Sequence, residues 1–222
     1  VAYDMLVSGG LKTNYTAAIQ WHYSGIDNAP GFCTLYNLRV HNAKIGLLYG
    51  SLTSPVDGAM SENNIVGYKT RGVERPLVIN QPNGFLFISH AVLDCQQYEW
   101  PGGSWNDTVS NCVENIIGSL TIVNSEFVKA SSLLGYGIVN KATLILSACQ
   151  SEIVSTNFYL DTGSRTMING YHNNYFNNAT AAFIAASGTA LINIDGLSYV
   201  KGVGAINADY GLIYTGTSES VV

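Results

Sequence analysis

The chain has 222 residues, of which 47% are hydrophobic and only 11% are charged, and its formal net charge is −5. This composition excludes a disordered chain, because apolar residues are abundant enough to offset the entropy lost on ordering. The weak negative charge, without any basic run, excludes the usual footprint of a nucleic-acid-binding protein. No run of 18 apolar residues occurs, so we also expect no membrane insertion.

The predicted elements change in character along the chain. Residues 1–37 contain short apolar runs broken by Gly-Gly and Pro-Gly turns and predict irregular early coils. Residues 38–95 contain clearer coils, whereas residues 96–115 are polar, rich in Gly and without periodicity, which predicts an inserted loop. Regular coils return in residues 116–216. We therefore expect a single β-helix domain over residues 1–222, forming part of a longer chain.

A repeat of about 23 residues carries the fold prediction. Short alternating segments separated by Gly, Asn, Ser and Asp are typical of strands and turns. A repeat of this size without a helical segment predicts one coil of a parallel β-helix, in which equivalent side chains stack about 4.8 Å apart. Two apolar series are predicted to form inward columns: Ile122, Ile145, Ile168 and Ile192, and Ile138, Leu160, Phe183 and Ile206.

The four cysteines are irregularly spaced at Cys33, Cys95, Cys112 and Cys149. They include no CxxC pair, so a zinc site is not expected, and we predict no cofactor. Cys95 and Cys112 bracket the predicted loop and have two interpretations. They form a disulfide if the compartment is oxidising, or they are buried free thiols, which is the interpretation we favour.

The repeat predicts one column of ionisable residues. Glu126, Cys149, His172 and Asp195 are separated by 23 residues each time, which predicts a line of side chains about 4.8 Å apart. Neighbouring members of such a line could share a proton or bind a metal, because a carboxylate beside a histidine raises its basicity and fixes its tautomer. The line spans about 14 Å, so its four members cannot hold one ion. The alternative is a solvated corner column that includes a buried cysteine.

The predicted loop supplies the second candidate site. Polysaccharide sites need aromatic faces for sugar rings, and hydrolases need two carboxyl groups about 5 to 9.5 Å apart. The predicted substrate-binding residues are Tyr98, Trp100, Trp105 and Asp107. The predicted catalytic residues are Glu126, Asp94, His172 and Asp195. The alternative is that the tryptophans only anchor the loop on the helix.

The coil pattern carries a resemblance to a known family. The segments Leu38-Arg-Val-His-Asn-Ala-Lys-Ile-Gly-Leu and Leu120-Thr-Ile-Val-Asn-Ser-Glu-Phe-Val, with Gly-hydrophobic steps such as Gly137-Ile, resemble right-handed parallel β-helices of the pectate-lyase-like superfamily. The low charge and the richness in Gly, Asn, Ser, Thr and Tyr are most similar to bacteriophage tailspike and appendage proteins. The resemblance implies an all-β, right-handed parallel β-helix with coils of about 22–24 residues.

The same resemblance implies a function. It implies a homotrimer on a virion that binds a bacterial surface polysaccharide and often cleaves it. The catalytic signatures of the superfamily's enzymes, Gly-His-Gly, adjacent Asp-Asp and Arg-x-Pro-x-x-Arg, do not occur in the sequence. The alternatives are a secreted polysaccharide lyase or glycoside hydrolase, and a purely structural shaft segment.

Overall fold

The computed structural model is a parallel β-solenoid of about five turns. It describes residues 6–8, 17–21, 33–53, 62–96, 109–130, 134–176, 183–201 and 212–214. These ranges contain strands and turns but no helix, and hence no helix that could cross a membrane. The strands are β1 Leu6–Ser8, β2 Ile19–Trp21, β3 Thr34–Tyr36, β4 Arg39–Gly50, β5 Asn63–Val66, β6 Lys69–Ser89, β7 Val92–Asp94, β8 Val113–Val123, β9 Glu126–Lys129, β10 Tyr136–Asn140, β11 Thr143–Ile153, β12 Thr156–Leu160, β13 Arg165–Phe176, β14 Ile184–Ala186, β15 Leu191–Lys201 and β16 Leu212–Tyr214.

Each turn contributes strands to three faces, and long strands bend from one face to the next. The first face consists of β1, β7, β9 and parts of β4, β6, β11, β13 and β15. The second consists of β2, β10, β12, β14, β16 and parts of β4, β6 and β8. The third consists of β3, β5 and parts of β6, β8, β11, β13 and β15. Every pairing is parallel, which confirms the predicted all-β solenoid.

The core lies between the three faces and is filled by inward columns. On the third face, Ile65, Ile88, Ile122, Leu146 and Ile168 stack in register and are all buried. Side chains alternate between the two surfaces of a strand, so the residues between these positions point outward. Burying each of these side chains contributes about 1.5–3 kcal/mol.

The first predicted Ile column is wrong in its members. Ile122 pairs with Leu146, which pairs with Ile168, whereas Ile145 pairs with Met167 on the outward surface. The successive steps are 24 residues from 122 to 146, 22 from 146 to 168 and 26 from 168 to 194. Ile145 therefore lies one residue from the buried position, on the outward surface, because side chains alternate with a period of two. Ile192 is buried on the inward surface but pairs with Thr166, two residues before Ile194.

The second predicted column is also wrong in its members, because its steps are again unequal, although Leu160 and Phe183 are buried. Ile138 pairs with Phe158, and Phe158 pairs with Ile184. Leu160 instead pairs with Asn140. Phe183 is buried in the core next to this column, and Ile206 lies outside the described residues. The repeat exists, but the number of residues per turn is not constant.

The corner between the third and first faces is a column of left-handed residues. Its members follow the last paired residue of each third-face strand and have φ between 48° and 78°: Asn37, Gly67, His90, Asn124, Ala148, Gly170 and Gly196. Glycine and asparagine adopt this conformation readily, whereas alanine does so at a cost of about 1–2 kcal/mol. The backbone here turns sharply within one or two residues and fixes where each first-face strand begins.

Candidate functional site

A shallow groove on the third face is the candidate binding site. It has a volume of about 540 Å³, and we call it the third-face groove; its outward residues are Thr34, Asn64, Phe85, Phe87, Ser119 and Thr121. Phe85 and Phe87 lie two residues apart on β6, so both project from the same surface. Their exposed fractions are 55% and 38%.

The pairing of β6 with β5 and β8 determines which residues lie beside the two phenylalanines. Asn64 on one adjacent strand and Thr121 on the other flank Phe87, while Ser119 is paired with Phe85. The groove is therefore an aromatic surface bordered by amide and hydroxyl groups at strand spacings of about 4.8 Å. Amide and hydroxyl groups donate and accept hydrogen bonds, and aromatic faces bury the apolar faces of flat ligands.

Buried polar groups hold the strand that carries Phe85. The buried Asn63 side chain donates from Nδ2 to the Tyr49 hydroxyl at 2.8 Å, and that hydroxyl donates to the Phe85 carbonyl at 3.2 Å. Gly84 precedes Phe85, and a Cβ there would lie 2.9 Å from the Tyr49 ring. A larger residue at position 84 would therefore push this strand away from the tyrosine.

A second groove lies at the corner between the third and first faces, and we call it the corner groove. Its volume is also about 540 Å³, and its polar lining includes Lys69, His90, Glu126, Cys149, Gln150 and His172. Glu126, Gln150 and His172 form one outward column of the first face. The Nδ1 atom of His172 lies 2.7 Å from Oγ of Ser198, the next residue in that column.

The prediction that four ionisable residues form one column is wrong, because the strand register places them differently. Glu126 and His172 share a column, but Gln150 lies between them, so their strands are about 9.6 Å apart. Cys149 points inward and is buried, in the column of Tyr171, and burial raises the pKa of its thiol. Asp195 lies on the third face, paired with Asn169. The four residues therefore do not form a line.

Two of the predicted catalytic residues are brought close together. Asp94 on β7 pairs with Val128 on β9, and Glu126 lies two residues before Val128. With strands about 4.8 Å apart and a rise of about 3.3 Å per residue, the two Cα atoms are about 8 Å apart. Both side chains are half-buried and alternate with the buried Leu93 and Phe127, so both project from the outward surface of the first face.

The four predicted substrate-binding residues, Tyr98, Trp100, Trp105 and Asp107, lie outside the described residues. Sequence reasoning missed Phe85 and Phe87. Their signal is the segment Phe85-Leu-Phe, in which two aromatic residues alternate with the buried Leu86. An outward aromatic pair on one strand is a binding signal only once the inward register is known.

No known protein family, no curated protein and no solved structure matches this chain. Among the described residues, no group of three or more His, Cys, Asp or Glu side chains is arranged to hold a metal ion.

Proposed function

We propose that this chain is the polysaccharide-binding β-helix of a virion tailspike or appendage, and that it assembles as a homotrimer. The observation that carries the binding proposal is the exposed pair Phe85 and Phe87 in the third-face groove. A sugar ring has apolar C–H faces and hydroxyl edges, so a ligand of this kind matches an aromatic surface bordered by Asn64, Ser119 and Thr121. The virion assignment is supported by the resemblance in coil pattern and composition.

Titration of the purified chain with bacterial surface polysaccharides tests the binding proposal. Phe87→Ala is expected to weaken binding about tenfold, which corresponds to a loss of about 1.4 kcal/mol. Met167→Ala is the matched control, because Met167 is an exposed apolar residue of the same outward column, three strands further along. Equal losses for both variants, or binding to no polysaccharide by the unsubstituted chain, would contradict the proposal, and the second outcome favours the structural shaft.

The homotrimer is tested separately by light scattering on the full parent protein. We expect a mass of three chains. A monomeric parent contradicts the virion proposal and favours a secreted protein.

One observation favours polysaccharide cleavage as a second candidate function. Asp94 and Glu126 project from the same surface at a Cα separation of about 8 Å. Inverting glycosidases use two carboxyl groups about 6.5–9.5 Å apart, one as the acid and the other as the base that activates water, and side chains that start from Cα atoms about 8 Å apart can bring their carboxyl groups to such a separation. We propose Glu126 and Asp94 for these two roles; His172 is too far from Glu126 to share its proton directly.

An assay of released reducing ends tests the second candidate. Glu126→Gln is expected to abolish release without changing polysaccharide affinity. Glu152→Gln is the matched control, because Glu152 is an exposed carboxylate of the first face, one strand beyond Val128. Unsaturated uronate products in place of hydrolysis products would indicate a lyase and contradict the roles given to the two carboxyl groups.

A further inference from the structure

Two thiols meet inside the corner between the first and second faces. Cys95 directly follows β7 and Cys112 directly precedes β8, and both are buried. The Cys95 N–H donates to the Val128 carbonyl at 2.9 Å, and the Cys112 N–H donates to the Gly137 carbonyl at 2.8 Å. The backbone on both sides is therefore fixed to the next turn of the solenoid. The Cys112 thiol donates to the same Val128 carbonyl at 3.4 Å, so both cysteines approach one peptide group, and their side chains are close enough to alter each other's pKa.

The surroundings of the two sulfurs are polar and include a buried cation. Lys129 has no exposed surface, and its Nζ donates to the Ser110 carbonyl at 2.5 Å and to the Tyr136 carbonyl at 3.2 Å. The Ser110 hydroxyl lies 3.2 Å from the Cys95 sulfur. Register places Lys129 directly beside Cys95, because the preceding residues of the two strands are paired. The cation therefore favours a thiolate at this corner.

The two thiols differ in acidity. Burial works against a Cys95 thiolate, yet the neighbouring Cys112 thiol, the charge of Lys129 and the Ser110 hydroxyl bring the pKa of Cys95 below its ordinary value. Burial and the neighbouring Cys95 raise the pKa of Cys112 well above its ordinary value. Asp94 opposes ionisation of both thiols. Cys95 is thus the thiol that ionises more readily, and Cys112 stays protonated.

We propose that Cys95 and Cys112 form a redox-active dithiol that a low-molecular-weight disulfide oxidises to an internal disulfide. Because both thiols are buried, the corner must open locally before the reagent reaches them. The Cys95 thiolate then attacks one sulfur of the reagent, forms a mixed disulfide and releases one thiolate. Cys112 then loses its proton and attacks the Cys95 sulfur, which releases the second thiolate. The chain loses two electrons and two protons, and the reagent becomes two thiols.

The bond closes the chain across residues 96–111, which are most of the predicted loop. A disulfide across such a segment stabilises mainly by restricting the unfolded chain. Oxidation is therefore expected to raise the denaturant midpoint, and reduction is expected to reverse this. This inference is independent of the proposed polysaccharide binding.

The test uses the folded Cys33→Ser chain, because Cys33 is the most exposed of the four thiols. The chain is incubated with oxidised glutathione, quenched with acid and alkylated, and its thiols are counted by mass spectrometry. We expect the loss of two of the three thiols, and a proteolytic peptide that joins Cys95 to Cys112. Cys149, which is buried without a thiol partner of this kind, is the internal control and is expected to remain reduced.

Two further variants test the order of attack, with circular dichroism as the check on folding. With Cys112→Ser, Cys95 is expected to retain one glutathione as a mixed disulfide. With Cys95→Ser, Cys112 is expected to remain unmodified over the same time. The proposal is overturned if all three thiols of the folded Cys33→Ser chain remain reduced, if Cys149 reacts as fast as Cys95, or if Cys112 rather than Cys95 retains glutathione. The thiol count and the comparison with Cys149 both use the Cys33→Ser chain, so they need no substitution of a buried cysteine.

Discussion

The register of the third face makes a quantitative prediction for two adjacent residues. Leu146 is buried between Ile122 and Ile168, whereas Ile145 points outward and is half-buried. Substitution by alanine removes three carbon groups from either side chain, because leucine and isoleucine are isomers. At about 0.8 kcal/mol per buried group, Leu146→Ala loses about 2.4 kcal/mol, and the cavity left behind raises this to about 3–4 kcal/mol. Ile145→Ala is expected to cost about 1 kcal/mol or less, because much of that side chain is already in water.

Urea unfolding followed by far-ultraviolet circular dichroism measures both variants against the unsubstituted chain. The two variants should have similar m-values and clearly different midpoints, with Leu146→Ala the less stable. Equal destabilisation, or a greater loss for Ile145→Ala, would refute the register and support a uniform step of 23 residues. The comparison is matched in residue volume and in position along the chain.

Three other predictions concern the loop, a corner and alkaline pH. Trp100→Ala and Trp105→Ala are expected to weaken polysaccharide binding in calorimetry with little change in melting temperature; a large drop in melting temperature with unchanged affinity would mean that these residues are structural. Ala148→Gly should raise the free energy of unfolding by about 1 kcal/mol, because it relieves a left-handed alanine, whereas Ala43→Gly in a strand should lower it. Burial raises the pKa of Tyr49 to about 12 despite its hydrogen bond with Asn63, while an unfolded tyrosine ionises near 10. Stability present below pH 10 should therefore fall between about pH 10 and 12, and Tyr49→Phe should reduce that fall; an unchanged pH profile in this variant would contradict it.

The chemistry of the candidate sites was only partly predictable from the sequence. The sequence predicts Asp94 and Glu126 as catalytic candidates from their residue type and from their positions on either side of the predicted loop. Their diagonal placement follows from the pairing of β7 with β9, which are separated by a long excursion of the chain. Spacing alone predicts that Cys149 and Asp195 lie in line with Glu126, whereas the register places them in other columns. The proximity of Cys95 and Cys112 likewise depends on the tertiary structure, because Cys95 follows β7 and Cys112 precedes β8 at the same corner of the solenoid.

The sequence by itself determined that this chain forms a parallel β-solenoid. Alternating apolar residues select strands, Gly and Asn select tight corners, and the short repeat leaves no length for helices. Only the tertiary structure decided which residues stack, because hydrogen bonds fix the pairing within strands while corners accept different numbers of residues. The step from Val92 to Glu126 is 34 residues, whereas that from Gln150 to His172 is 22. A shift of one residue in strand register moves each side chain from the core to the solvent side. The variable number of residues in the corners therefore decided that Phe85 and Phe87 face the solvent.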